Sequence, residues 1–200
     1  MILELTKHHG LGNDFLVVFA PDLPDPAEVA RRLCDRRRGV GADGLLVGEP
    51  LDPEVDGADV RMVLYNADGS RAMMSGNGIR CFAQAYASRE QFMRDLVVST
   101  DAGLRTVAMR PTHDPSTIEA SVDMGEITRI EGPANWSETG CHPDRLVLHL
   151  GVGNPHSIVG VDDVTVVDLA ALGAVVPDVN LEIVEPGPEP HGVTMRVHER

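Results

Sequence analysis

The sequence predicts an α+β protein that contains two copies of one structural unit, and three observations support this interpretation. Most patterned segments are short runs of β-branched and apolar residues, which are typical of strands. Two segments, 26–38 and 79–89, place apolar residues at helical spacing. Motifs from the first part of the chain also return later in the same order.

Each predicted element is marked by its own local pattern. The helix at 26–38 has a basic last turn followed by Gly39, an ending that suits both the helix dipole and a glycine stop. The helix at 79–89 follows a glycine-rich loop and is predicted to be a core helix. The polar break at 111–117 divides the chain into an N-terminal half, 1–115, and a partial C-terminal half, 116–200. Strands are predicted at 2–6, 15–19, 45–47, 60–65, 97–99, 104–109, 118–124 and 146–150.

The internal repeat indicates a duplicated unit. Two copies of one unit can pack about a pseudo-twofold axis and bind a ligand between them. The second copy stops just after its match to Asn66, so we expect it to lack the loop and helix that follow Asn66 in the first copy. Apolar strand faces would then be uncovered, which predicts poor solubility or a missing partner segment. The matched segments are 10–13 with 151–154, 45–50 with 181–186, and 60–66 with 193–199.

Composition and charge exclude several classes of function. A net charge of −14 opposes binding to phosphate backbones, so no nucleic-acid partner is expected. The chain has no uncharged apolar run of about 18 residues and no signal-peptide pattern at its N-terminus, so we expect a cytoplasmic protein without membrane association. The 3 cysteines lack CxxC spacing, which argues against a disulfide framework or a structural metal site.

The strongest chemical signal is a glycine-rich loop before the second helix. Gly76, Asn77 and Gly78 let the backbone approach a ligand, and the helix that follows directs free N–H groups toward an anion. This arrangement suits a carboxylate or phosphate, and a reactive side chain at Ser75 would stand beside it. The alternative is that Ser75 only caps the helix, as serine commonly does.

A second group of candidates lies near the repeated motif in the later part of the chain. Asn154 precedes a proline, which favours a conformation that presents its amide, and His156 could tune a nearby acid or base. An ordinary turn explains the same residues. Similarly, Glu199 and Arg200 are equally explained as a solvated charge pair, and Asn180 as a residue that starts a strand.

Six strings of residues form one set that runs in order along the whole chain. They are HGLGNDF at 9–15, GADG at 41–44, YNADGS at 65–70, GNGIRC at 76–81, GNPH at 153–156, and Glu199-Arg200. This set resembles the diaminopimelate epimerase family, and its asparagine-rich strings are specific.

The resemblance implies both a fold and an activity. The implied fold is α+β, with two pseudo-symmetric halves that are each a curved, mostly antiparallel sheet around a central helix, the second half being incomplete here. The family are isomerases that interconvert LL- and meso-2,6-diaminopimelate in lysine and peptidoglycan-precursor biosynthesis. They use no pyridoxal phosphate, other cofactor or metal; one cysteine thiolate removes the Cα proton and a second cysteine returns one on the opposite face. The implied partners are the small-molecule substrate diaminopimelate and a second copy of the chain, because the family is commonly dimeric.

The resemblance also implies roles for individual residues. Four asparagines would bind the substrate amino and carboxylate groups, two loop residues would hold the reacting carboxylate, and the last two residues would contact the substrate. His156 and Glu199 would adjust the pKa values of the catalytic groups. These binding residues are Asn13, Asn66, Asn154 and Asn180, then Gly76 and Asn77, then Glu199 and Arg200.

Two departures from the family pattern lead us to expect impaired activity. The first family cysteine falls at Ser75, and a serine hydroxyl is a far weaker acid than a thiol and needs a neighbouring base. Cys81 cannot replace it, because six residues along a helix turn its side chain about 120° away. The second family cysteine would follow Arg200. The alternatives are a cofactor-independent dehydratase or racemase relative, or a catalytically inactive module that binds amino acids.

Overall fold

The computed structural model describes residues 2–199 and contains two units, Met1–Met124 and Gly125–Arg200. In the first unit the helices are α1 (Pro26–Cys34), α2 (Pro53–Asp56) and α3 (Gly76–Glu90). The strands are β1 (Leu5–Gly10), β2 (Asn13–Phe19), β3 (Gly44–Pro50), β4 (Val60–Asn66), β5 (Arg71–Ala72), β6 (Leu96–Thr100), β7 (Gly103–Pro111) and β8 (Ile118–Val122).

The first unit is one mostly antiparallel sheet that curves around α3. The strand order is β1-β2-β3-β4-β6-β7-β8, with β5 beside β4, and α3 contacts strands from β1 to β8. Alternation along β2 places Phe15 and Val17 on the α3 face, and Leu16 and Val18 on the opposite face, which α1 covers. This arrangement confirms the predicted curved sheet around a central helix.

The unit boundary follows Met124, whereas the predicted division falls at 115. Strand β8 pairs antiparallel with β7, from Val107 opposite Val122 to Pro111 opposite Ile118. The polar break at 111–117 is therefore the loop of a hairpin within the first unit.

Helix α1 ends at Cys34, earlier than the predicted end at residue 38. The Asp35 carboxylate accepts hydrogen bonds from the backbone N–H groups of Arg37 and Arg38, at 2.7 and 2.9 Å, and this local turn replaces the last helical turn. The chain thereby turns Arg36 back toward the carboxylates of Asp14 and Asp43.

The second unit repeats the core pairing of the first. It contains β9 (Thr128–Arg129), β10 (Val147–Gly151), β11 (Pro155–Gly160), α4 (Leu169–Val175), β12 (Asn180–Pro186) and β13 (Val193–His198). The pairs β10–β11, β11–β12 and β12–β13 are antiparallel, parallel and antiparallel, as are β1–β2, β2–β3 and β3–β4. The duplication that the sequence motifs predict is thus present in the strand pairing.

Within the described residues, a helix packs against one face of the second sheet but not against the other. Leu181 and Ile183 pack beneath α4, on the face that matches the α1 side of the first unit. On the other face, Val193, Met195 and Val197 are exposed, and no helix of the second unit's described residues covers them. This is the uncovered apolar face that the sequence predicts. No helix within residues 2–199 is long and apolar enough to cross a bilayer.

Candidate active site

The N-terminus of α3 forms the centre of the candidate site in the first unit. Ser75 is the N-cap residue, and its Oγ accepts a hydrogen bond from the backbone N–H of Gly78 at 3.0 Å. Gly78 is buried directly below, where an added Cβ would lie 3.1 Å from the Ser75 Cβ. The sequence therefore fixes both the start of the helix and the half-buried position of Ser75 beside its free N–H groups.

Asparagine side chains link this helix start to the end of the neighbouring sheet. Arg80 donates a hydrogen bond to Asn77 Oδ1, and Asn77 Nδ2 donates to Asn13 Oδ1 at 3.3 Å. Asn13 Nδ2 in turn donates to Asp43 Oδ2 at 2.7 Å. Gly10 permits this contact, because a Cβ there would come within 3.3 Å of Asn77 Oδ1. The predicted residues Asn13, Asn77 and Ser75 are thus brought together.

A cluster of opposite charges lies behind the asparagines. The Arg36 guanidinium donates to Asp14 Oδ1 at 2.6 Å and to Asp43 Oδ1 at 2.7 Å, and the Lys7 ammonium lies 3.0 Å from Asp14. The hydrogen bond from Arg36 holds the pKa of the Asp14 carboxyl well below its usual range. Asp14 therefore keeps its negative charge beside Arg36, and Asp43 accepts the hydrogen bond from Asn13.

Asn66 lies at the same edge of the sheet but outside this hydrogen-bonded chain. It ends β4 opposite Gly44, which begins β3 directly after Asp43. Its Nδ2 donates to Ser70 Oγ at 3.0 Å, and the side chain is exposed. The strand order brings Asn66, Asp43 and Asn13 to one edge, beside the start of α3.

The second unit brings three of the predicted residues together at the start of β11 and β12. His156 and Asn180 are direct neighbours in the parallel pairing of these strands, and Asn180 is buried. The two ring nitrogens of His156 lie 2.6 Å from Glu182 Oε1 and 2.8 Å from Asn154 Oδ1. A histidine between a carboxylate and an amide can control the orientation of that amide.

Glu182 is a residue that our sequence reasoning missed. It is 6% exposed in an interior strand, and burial raises the pKa of its carboxyl, an effect that Glu199 reinforces and that the bond to His156 opposes. The available signal was its place in a strand between Leu181 and Ile183, where alternation directs the Glu182 side chain to the face opposite theirs. Glu199 itself is exposed after β13, and Arg200 lies outside the described residues.

The buried cysteines are poor candidates for proton transfer. Burial raises the pKa of Cys34 and of Cys81 to about 11, so neither thiol is ionised near neutral pH. Cys81 belongs to the core between α3 and the sheet. This placement agrees with the expectation that it does not replace a cysteine at position 75.

The curved sheets, the central helix and the repeated pairing define a fold shared with solved amino-acid epimerases. The hydroxyproline epimerase from Agrobacterium vitis superimposes with a TM-score of 0.70 at 13% identity, covering 98% of this chain and 69% of that one. The family model described as diaminopimelate epimerase matches residues 5–130. The chain therefore belongs to the diaminopimelate epimerase family.

Curated relatives agree with this assignment. The diaminopimelate epimerase of Prochlorococcus marinus is 37% identical over 187 residues, which cover 82% of this chain and 58% of the relative. The diaminopimelate epimerase of Desulfitobacterium hafniense is 36% identical over 225 residues, covering 99% and 76%. The chain thus spans about three-fifths to three-quarters of the length of these relatives.

Proposed function

We propose that this protein binds diaminopimelate and interconverts its LL and meso forms without a cofactor, with slow proton transfer on the Ser75 side. The observation that carries the proposal is the start of α3, where Ser75 and Asn77 stand beside Asn13 at one edge of the sheet. Family membership supplies the substrate class and the reaction type.

The helix start provides what the reaction needs most. The Cα proton of an amino acid is a very weak acid, so the carbanion must be stabilised through its carboxylate by fixed dipoles. Free N–H groups of α3 and the amides of Asn77 and Asn13 are donors at one place. A carboxylate bound there would gain stabilisation as its negative charge increases in the transition state.

Ser75 limits proton transfer on its side of the substrate. A base on one face must accept the Cα proton as the C–H bond breaks, and a second, protonated group on the opposite face must deliver a proton to the carbanion for inversion. A serine hydroxyl needs a neighbouring base for the first task. In the first unit Ser75 Oγ accepts a hydrogen bond from the Gly78 N–H, which is a donor and cannot take the hydroxyl proton.

A deuterium wash-in experiment tests this proposal. The purified chain is incubated with LL- or meso-diaminopimelate in D₂O, and incorporation at Cα is followed by mass spectrometry. We expect slow exchange for the wild type and an increase of about 10²-fold or more for Ser75→Cys, because a thiol at a helix N-terminus is readily ionised. Calorimetry on the same samples measures binding independently of exchange.

The matched control is Ser88→Cys, which places a cysteine at an exposed position on the same helix. Exchange that rises equally in Ser88→Cys, or wild-type turnover at ordinary enzyme rates, would refute the assigned role of Ser75. Failure of every variant to bind diaminopimelate would refute the function itself. Binding without exchange in Ser75→Cys would instead indicate an amino-acid-binding module.

A further inference from the structure

A buried carboxylate in the second unit has a role that the proposed function does not yet use. Glu182 is 6% exposed, and its Oε2 has no hydrogen-bond partner among residues 2–199. Its Oε1 lies 2.6 Å from His156 Nδ1. A buried carboxylate is costly unless a partner compensates it, so its place in an interior strand requires an explanation.

The duplicated unit shows how unusual this carboxylate is. In the first copy, Leu46 occupies the matching position of β3, opposite Leu64 of β4, and it is fully buried under α3. In the second copy, Glu182 stands opposite Val197 of β13. A position that the fold fills with leucine in one copy holds an ionisable group in the other, so packing alone does not account for Glu182.

The hydrogen bonds of His156 indicate what the carboxylate does. An ionised carboxylate oxygen and an amide carbonyl oxygen both only accept hydrogen bonds. With Glu182 ionised, His156 can satisfy both Glu182 Oε1 and Asn154 Oδ1 only by donating from both ring nitrogens, as the positively charged ring does. Asn154 Oδ1 is then held toward the ring, and Asn154 Nδ2 is presented on the other side of the amide.

We propose that Glu182 is a positioning residue, which holds His156 in its doubly protonated form and thereby fixes Asn154 with its Nδ2 toward a substrate carboxylate. The inference deepens the proposed function, because it rests on Asn154 as a binding residue and names the substrate group that it binds. Glu199 is the other charged group that acts on Glu182, and its negative charge does not compensate the carboxylate. His156 therefore supplies the compensating positive charge.

The variant Glu182→Gln removes the negative charge of the side chain and keeps nearly the same shape. The neutral amide can still accept from His156 Nδ1, but it no longer stabilises a charged ring, so Nε2 loses its proton and becomes an acceptor. Asn154 must then rotate its amide so that Nδ2 faces the ring, and Oδ1 faces the substrate carboxylate. Glu182→Leu, which restores the residue type of the first copy, removes the same charge without adding a polar group.

The first measurement uses the ¹⁵N chemical shifts of the His156 ring in the intact, ligand-free chain at pH 7. We expect two protonated nitrogens in the wild type and in the control Glu189→Gln, which removes an exposed carboxylate of the following loop. One protonated nitrogen is expected in Glu182→Gln and Glu182→Leu. A singly protonated ring in the wild type, or no change in either Glu182 variant, would overturn the proposal.

The second measurement compares binding of meso-diaminopimelate with binding of lysine, which lacks one of the two carboxylates. We expect the preference for diaminopimelate to fall about tenfold in Glu182→Gln, because a charge-assisted hydrogen bond to the carboxylate is lost. A loss of general structure would weaken both ligands equally and would overturn the positioning role. If wild-type protein binds neither ligand, the proposed function fails, while the ring measurement still decides the state of His156.

Discussion

The carboxylate of Asp43 offers a direct test of how the first half of the site is held. It accepts three hydrogen bonds, from Asn13 Nδ2 at 2.7 Å, from the Asp14 backbone N–H at 3.0 Å and from Arg36 at 2.7 Å. In Asp43→Asn one carboxylate oxygen becomes an NH₂ group, which faces a donor whichever way the amide turns. The variant must therefore lose either the bond to Arg36 or the two bonds to Asn13 and Asp14.

The expected magnitude follows from the number and exposure of these bonds. A hydrogen bond to a charged group contributes about 1.5–3 kcal/mol, whereas a well-solvated ion pair contributes about 0–1 kcal/mol. The Asp43 side chain is 41% exposed, so solvent screening reduces the larger figure. We expect Asp43→Asn to lower the free energy of unfolding by about 1–2 kcal/mol, and to weaken diaminopimelate binding about tenfold because Asn13 is no longer held.

Urea denaturation measures the first effect, and calorimetry with meso-diaminopimelate measures the second. The control is Asp22→Asn, which removes a carboxylate from an exposed position outside the site. If Asp43→Asn is as stable as Asp22→Asn and binds the substrate equally well, then Asp43 does not position Asn13. If stability falls but binding does not, the hydrogen bond between them has no functional role.

Three further predictions concern acid stability, thiol reactivity and solubility. The Asp14 pKa lies below its unfolded value of about 3.9, so the stability that Asp14 contributes is present above about pH 4 and is lost as the pH falls below that value. In urea denaturation from pH 7 to pH 2.5, the free energy of unfolding should therefore fall less for Asp14→Asn than for the wild type. At pH 7.5 a thiol reagent should modify the half-buried Cys141 at least about tenfold faster than the buried Cys81, with sites and rates read by mass spectrometry, and equal rates would contradict the burial of Cys81. Met195→Lys should raise the solubility limit without changing the circular dichroism spectrum, because Met195 is 55% exposed on an uncovered sheet face, and an unchanged limit would mean that this face does not drive association.

Local sequence patterns were sufficient for the elements that have a strong period. The apolar spacing at 79–89 predicts α3. The repeated motifs predict that the segments of β12 and β13 correspond to those of β3 and β4. Helix α4 was not predicted, because its Leu169–Val175 segment is short and mostly alanine, glycine and valine, without a distinct polar face. Its position depends on packing against the second sheet rather than on a local signal.

Long-range pairing explains what sequence reasoning could not supply within the site. The local pattern predicts that Arg36 belongs to a basic helix end, but in the folded chain it pairs with Asp14, which lies 22 positions away. Glu182 is 26 positions from His156, and only the parallel pairing of β11 with β12 brings them together. A charged side chain can suit the dipole at a nearby helix end or form an ion pair with a distant residue. The sequence alone does not distinguish these two roles, whereas the folded structure does.

For the predicted asparagines, the sequence also does not show which end of each amide faces a ligand. An asparagine amide has a donor end and an acceptor end of almost equal shape, so its presence does not say which end a ligand meets. Arg80 fixes the acceptor end of Asn77, and Asp43 fixes the donor end of Asn13, so charged neighbours set the direction of the whole chain of amides. For the binding site that we propose, the preference for carboxylates over ammonium groups would then be set by these charged neighbours and not by the asparagines alone. Changing the charge of Arg80 or Asp43 should alter that preference more than the loss of any single amide contact would.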